Sequence, residues 1–328
     1  MAGTVAPQSA GSAAPAVTPL AAGPAATDAL WPTAASWLAR QPDYRQPLDL
    51  AVIGMPSSAR SLSPTQAHLT PAALRQTLRR YSTWSVDRGV DIAALASLDL
   101  GDISNPDAAD GFERSQAILR SIAPHPRLTV VLGGDNSITY PTVLGLHRDR
   151  LPEAGLITFD AHHDLRDGWS NGSPVRQLIE AGLPGEHIVQ IGIAGFANSK
   201  AYYDRAREHG IHIISREDCH RRSAADVIDE ARSIIGQRPT HIDVDVDVCD
   251  RSVAPGCPAS SPGGVSAQYL RDLVFHAARW EQAVSLDITE VDAAADAPDG
   301  RTVRLAALCL LEAAAGLASR TTDDRSAS

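Results

Sequence analysis

Cysteine is scarce in this chain of 328 residues, which holds four: Cys219, Cys249, Cys257 and Cys309. They form no CxxC pair and no disulfide-like framework, so they read as the thiols of a cytoplasmic protein. Basic residues are in deficit, 29 Lys and Arg against 39 Asp and Glu, for a formal charge of -10. That balance argues against nucleic acid as the main partner, although bound metal would neutralise some of the carboxylates. No run reads as long and apolar enough to span a membrane. A GxGxxG after the first strand-like segment is missing, which weakens a dinucleotide-binding reading, and no HExxH is present.

Residues 1–30 are rich in Ala, Pro, Gly, Ser and Thr, and the first basic residue is Arg40. They read as a disordered arm rather than a secretory signal, which needs a basic start. Residues 319–328 read as a frayed tail. Between them, over 31–318, no linker or internal repeat interrupts the pattern, and a hydrophobic content of 44% suffices for one large core.

Within that body, strand-like and helix-like segments alternate. Strand patterns fall at 48–54, 96–103, 127–134, 155–162, 187–193, 211–215, 240–248 and 283–291. Several are continuous Val, Ile and Leu runs, as strands covered on both faces require. Helical patterns stand at 71–84, 113–122, 173–182, 223–236 and 266–279, the last with Ser266 as a candidate N-cap. Such alternation implies an α/β protein with a mainly parallel sheet and helices on both sides. Ligands of these sheets sit beyond the carboxyl ends of the strands, and three strand ends here carry polar clusters.

The first cluster is GGDNS, Gly133 to Ser137. The second lies in ITFDAHHDLRD, residues 157–167, where Asp160, His162 and Asp164 stand at i, i+2 and i+4. In the third, Asp243, Asp245 and Asp247 alternate with valines. Extended geometry through these segments points each triplet to one face. Three adjacent carboxylates repel and raise one another's pKa unless a cation lies among them. Hard oxygen donors with one imidazole suit Mn2+ best, with Zn, Fe or Ni as alternatives. Any one of these aspartates is explained equally well by a turn or a helix cap; the joint pattern is not. His163, on the opposite face, reads as a packed or hydrogen-bonded histidine.

In this order the three clusters resemble the ureohydrolase family of arginase, agmatinase and formimidoylglutamase, over roughly residues 45–315. DLGD (99–102), Ala254-Pro255-Gly256 and SLDITEV (285–291) also fit it. The resemblance implies a three-layer α/β sandwich around an eight-stranded, mainly parallel sheet, with two Mn2+ ions bridged by a hydroxide. It implies that Asp160 and Asp245 bridge both metals, that His162 and Asp247 complete one site, and that Asp164 serves the other with Asn136. The family usually has His at the position of Asn136. Asparagine offers only a neutral carbonyl oxygen, so that half of the centre is expected to hold its metal loosely, to hold a water instead, or to stay empty. Trimers or hexamers are the homo-oligomers the resemblance implies.

Within the family, the continuation DLR (164–166) followed by SNGSPVR (170–176) looks like formimidoylglutamase, which splits N-formimidoyl-L-glutamate into glutamate and formamide. That substrate carries two carboxylates. Arg166 and Arg176 are the candidates to grip one each bidentately, with Asn171 and Ser173 as neutral donors. The competing reading pairs Arg166 with neighbouring Asp167 and leaves Arg176 as an exposed helix residue. By resemblance, Glu290 faces the substrate and pairs with its amidinium, and Asp164 carries the proton that the leaving amine needs. Two rivals stay open: an agmatinase or other guanidino-acid ureohydrolase, and a metal-binding homologue without catalysis.

Overall fold

In the computed structural model, which describes residues 17–18, 28–40, 47–122 and 126–324, every expected strand forms. In chain order the strands are β1 (Val17–Thr18), β2 (Leu50–Gly54), the hairpin pair β3 (Trp84–Ser85) and β4 (Val90–Asp91), β5 (Ser97–Ile103), β6 (Leu128–Leu132), β7 (Gly155–Phe159), β8 (Ile188–Ile193), β9 (His212–Ser215), β10 (Thr240–Asp245) and β11 (Ala283–Thr289). One sheet takes nine of them in the order β1-β5-β2-β6-β11-β10-β7-β8-β9. Strands β5, β2, β6, β11, β10, β7, β8 and β9 pair in parallel, and β1 adds antiparallel to the β5 edge. The four strands that carry the chemistry, β6, β11, β10 and β7, are neighbours in the middle. The rest of the expected arm before Asp28, and residues 325–328 of the expected tail, lie outside the described residues.

The helices are α1 (Ala34–Leu38), α2 (Thr70–Thr77), α3 (Gly111–Arg120), α4 (Thr139–His147), α5 (Pro174–Glu180), α6 (Lys200–Glu208), α7 (Arg216–Arg221), α8 (Ala224–Ile235), α9 (Ala267–Ala278) and α10 (Arg301–Asp324). Ser266 caps α9 as expected, accepting from the N–H of Tyr269. Helices α2, α8, α9 and α10 close over one face of the sheet in a core with Val130, Ile157, Val189, Ile242 and Leu286. Helices α4, α5 and α6 cover the other face in a core with Leu156 and Ile188. This is the expected three-layer sandwich. The DLGD segment serves it structurally: Asp99 and Asp102 hold the buried guanidinium of Arg75 on α2 at 2.7 and 2.5 Å.

One expectation is corrected. Residues 301–320 of α10 are long and apolar enough to cross a membrane by length and composition, with mean hydropathy 1.5. Within the window, however, 78% is buried, and the helix packs along α9 and α2. A helix apolar nearly all round is what the interior of a large domain accepts.

Candidate metal centre

The strands end earlier than alternation predicts, and that builds the centre. Strand β7 stops at Phe159 and β10 at Asp245, so neither aspartate triplet lies along one extended face. Asp160 instead accepts from the N–H of His162 at 2.6 Å, and Asp245 accepts from the N–H of Asp247 at 2.8 Å. Both are aspartates bonding their own backbone two residues on, the geometry of an Asx turn. The i, i+2 spacing therefore marks two turns at adjacent strand ends rather than strand pleating. Asp164 closes the first turn with φ of +53°, and Glu290, just past β11, has φ of +63°. Left-handed backbone is unfavourable for these residue types and persists where surrounding structure imposes it, commonly at functional sites.

Asp160, His162 and Asp247 come together with donor atoms all within 4.8 Å of one another. His162 Nδ1 lies 2.7 Å from Asp247 Oδ2 and 3.4 Å from Asp160 Oδ1, and the N–H of Ala161 donates to Asp247 Oδ1 at 3.0 Å. Burial pulls the His162 imidazolium down, but Asp247 and Asp160 outweigh it and hold its pKa up at about 12. Burial, then the charge of Asp247, lifts Asp160 to about 7. Burial with Asp160 lifts Asp164, and burial with Asp247 lifts Asp245, both well above the usual carboxylate range. So much buried like charge is tolerable only with a counter-charge. The donor set, carboxylate oxygens plus one imidazole, fits a hard-to-borderline divalent cation such as Mn2+.

Asn136 is placed otherwise than a ligand. Its Oδ1 accepts from Thr139 Oγ1 at 2.9 Å and from Thr289 Oγ1 at 3.1 Å, while its Nδ2 donates to Asp164 Oδ2 at 2.5 Å. The amide nitrogen faces Asp164, and the carbonyl that the sequence reading expected at the metal is engaged by the two threonine hydroxyls, so that Asn136 clamps Asp164 here.

Glu290 is fully buried, and its Oε1 accepts from the N–H of Asn136 at 2.7 Å and from Asn171 Nδ2 at 2.8 Å. Burial, then the neighbouring charge of Asp135, pushes its pKa up to about 8. It borders a cavity of about 300 Å3 together with His162, Asp164, Asp245, Asp247, Arg166 and Asn171. Arg166 is exposed there, and its guanidinium has no ion pair among the described residues; Asp167 pairs with Arg205 instead, at 2.8 Å. Two expected substrate contacts are corrected. Arg176 spends its donors on the carbonyls of Arg166 and Gly168 and on Glu180, while Ser173 is fully buried and bonds Ser170 and Gln177. Both shape the loop, and neither lines the cavity. His163 is the packed histidine expected, with Nδ1 2.7 Å from Gln190 Oε1.

Sequence reading passed over Arg60, which does not line the cavity but is bonded to residues beside it. Its N–H donates to Asp135 Oδ2 at 3.2 Å and its carbonyl accepts from Asn171 N at 3.0 Å, so its backbone is pinned beside the site. Its guanidinium lies over the rings of Phe112, at 4.3 Å, and Trp169, at 5.5 Å, without an ion pair among the described residues. No local motif marks it, because its position depends on a loop held by Asp107, Asp135 and Asn171 from three distant segments.

The comparisons agree with this architecture. The arginase family profile matches residues 48–316. A formimidoylglutamase of Halalkalibacterium halodurans is 37% identical over 256 residues, 75% of this chain and 80% of its own length. One of Bacillus subtilis is 35% identical over 279 residues, 81% of this chain and 86% of its own. A crystal structure of formimidoylglutamase from Bacillus subtilis superposes with a TM-score of 0.82 at 31% identity, covering 90% of this chain and 95% of the other. With the cage, the strand order and these matches together, the chain belongs to the arginase family.

Proposed function

We propose that this protein is a manganese-dependent formimidoylglutamase, hydrolysing N-formimidoyl-L-glutamate to L-glutamate and formamide. One observation carries the reading: a buried carboxylate–imidazole cage and Glu290 share a cavity whose rim holds the cation Arg166, with Arg60 pinned close by, neither in an ion pair among the described residues. A substrate with an amidinium head and two carboxylates matches that charge layout. A cationic tail such as agmatine's would meet Arg166, and a guanidino acid with one carboxylate would leave one arginine unmatched. The gathered cage and Glu290 favour an active enzyme over a non-catalytic homologue.

Asp160, His162, Asp245 and Asp247 would hold one metal, and Asp160, Asp164 and Asp245 a second, weaker one. Manganese, when bound, lowers the pKa of water and so provides a nucleophile near neutral pH. Glu290 accepts from the amidinium N–H groups, which favours its ionised form and fixes the formimidoyl carbon in place. As water's oxygen joins that carbon, the bond to the glutamate nitrogen breaks. Asp164 carries water's proton to the leaving nitrogen, giving the amine of glutamate and leaving formamide. Arg166 and Arg60 take the carboxylates. The test is product release by Mn2+-loaded protein: formamide from formimidoylglutamate, with Arg166→Ala raising KM about 10- to 100-fold while kcat changes little. Urea from guanidino acids with no formamide would overturn the reading.

A further inference from the structure

Three segments distant in sequence meet at one amide. Asn171 stands in the loop between Arg166 and α5, and its N–H donates to Arg60 O at 3.0 Å. Its Oδ1 accepts from the N–H of Leu62 at 3.0 Å, so backbone and side chain pair with the same stretch, 60–62. Its Nδ2 turns the other way and donates to Glu290 Oε1 at 2.8 Å. A backbone N–H can only donate and an ionised carboxylate can only accept, so these two partners fix which way the amide points. Sequence alone makes Asn171 a donor to the substrate. Here the protein engages both ends of its amide, through residues 109 and 119 positions away in the chain.

The bond falls on a side chain whose direction matters. The backbone of Glu290 is left-handed, and its N–H donates to Gly134 O at 2.9 Å, so the main chain is held. The carboxylate at the end of the side chain needs its own restraint. Its Oε1 accepts from Asn136 N at 2.7 Å and from Asn171 Nδ2 at 2.8 Å, which takes both lone pairs of that oxygen. A single bond would leave the carboxylate free to turn about it; two donors from different segments do not. Oε2 has no hydrogen bond to a described residue, and Glu290 lines the cavity together with Leu62, Ser63 and Asn171. A cationic N–H group entering that cavity therefore meets Oε2.

We propose that Asn171 is a positioning residue for the reaction. Its Nδ2 holds Glu290 Oε1 so that Oε2 is presented to the amidinium. Its Oδ1 and N–H fasten segment 60–62 along the same cavity. One amide thus ties the orientation of the reacting head to the wall beside it. The inference rests on the proposed role of Glu290 as the partner of an amidinium.

Two substitutions in the full-length, Mn2+-loaded protein separate the parts of this latch. Asn171→Asp keeps the shape and the acceptor for Leu62 but loses the donor to Glu290. Its kcat should fall about 10- to 100-fold, with KM within about threefold of wild type, as loss of one hydrogen bond to a charged group implies. Asn171→Ala loses both bonds and should raise KM about 3- to 10-fold as well. A folded, metal-loaded Asn171→Asp with kcat within about threefold of wild type overturns the proposal and leaves Asn171 a purely structural bond. Should neither variant fold, wild-type crystals soaked in formamidinium decide. The ion belongs on Oε2 with Asn171 still on Oε1, and its absence from Oε2 overturns the proposal. Failure of the substrate assignment shows separately, in wild type, as urea from a guanidino acid in place of formamide. The same variants are then compared on that substrate, whose guanidinium meets Oε2 in the same way.

Discussion

In the half of the centre made by Asp160, His162 and Asp247, the donor atoms lie within 4.8 Å of one another, and the His162 imidazolium faces Asp247 at 2.7 Å. In the half made by Asn136 and Asp164, a hydrogen bond of 2.5 Å already occupies the carboxylate. Both halves stand beyond the ends of the central strands, the first after adjacent β7 and β10, the second after β6 and β7. The difference comes from one side chain. An imidazole in place of Asn136 could turn a lone pair to the cage, whereas an amide nitrogen has none to offer. Thr139 and Thr289 bond the amide oxygen and hold it in the unhelpful orientation. The chain thus brings to the same cage one half in which carboxylates meet an imidazole that can lose its proton, and one in which a carboxylate meets an amide that cannot.

In the proposed centre Asp245 serves both halves, so its loss should erase the distinction. Asp245→Ala is expected to retain neither metal and to lose about three powers of ten or more in kcat/KM, as removal of several kcal/mol of metal-assisted stabilisation implies. Metal analysis after gel filtration, alongside the formamide assay, checks this. Full activity would sink the metal assignment altogether. Asn136→His is a smaller, opposite change. It should leave the first site alone and tighten the second by at least the roughly tenfold that one supporting group contributes at metal sites. Titration calorimetry reads it as a second Mn2+ equivalent of higher affinity. An unchanged isotherm would mean that the clamp is not what weakens that half.

How much of this was legible beforehand differs between scaffold and site. The strands were visible because Val, Ile and Leu runs announce themselves, and the ligand types because several aspartates with a histidine, gathered after such runs, have few joint structural excuses. The geometry was not. Alternation suggested extended triplets, but Asp160 and Asp245 bond their own backbone and turn the chain, and period-two spacing fits either arrangement. Arg176 and Arg60 show a similar limit. Arg176 stands two residues after Pro174 in a suggestive motif yet is consumed by local carbonyls. Arg60 stands in no motif and reaches the site through bonds to Asp135 and Asn171, which lie 75 and 111 positions further along the chain. The orientation of Asn136 depends on two hydroxyls from different elements, one of them 153 positions distant.

The least effect expected is on stability, and it separates the two halves by their protons. In the metal-free protein Asp160 is raised to about 7 and Glu290 to about 8, against ordinary values of 3.8 and 4.5. A raised folded-state pKa means that the folded chain binds more protons than the unfolded one between those limits, so stability falls as pH rises through the window. His162, held up at about 12, acts with the same sign, contributing stability below its ordinary 6.5 that is lost as pH climbs. Asp247 is lowered and works the other way, but only below its ordinary 3.8, outside the window. Metal-free protein should therefore melt at a lower temperature at pH 8 than at pH 5. Manganese favours the ionised carboxylates and the neutral imidazole, so loading should flatten or reverse the slope. Because Asp160 and His162 stand in the first half and Asp164, also raised, in the other, the first equivalent of Mn2+ should give part of the effect and the second the rest. A metal-free protein that gains stability with pH would show that the cage is not proton-filled when metal is withheld.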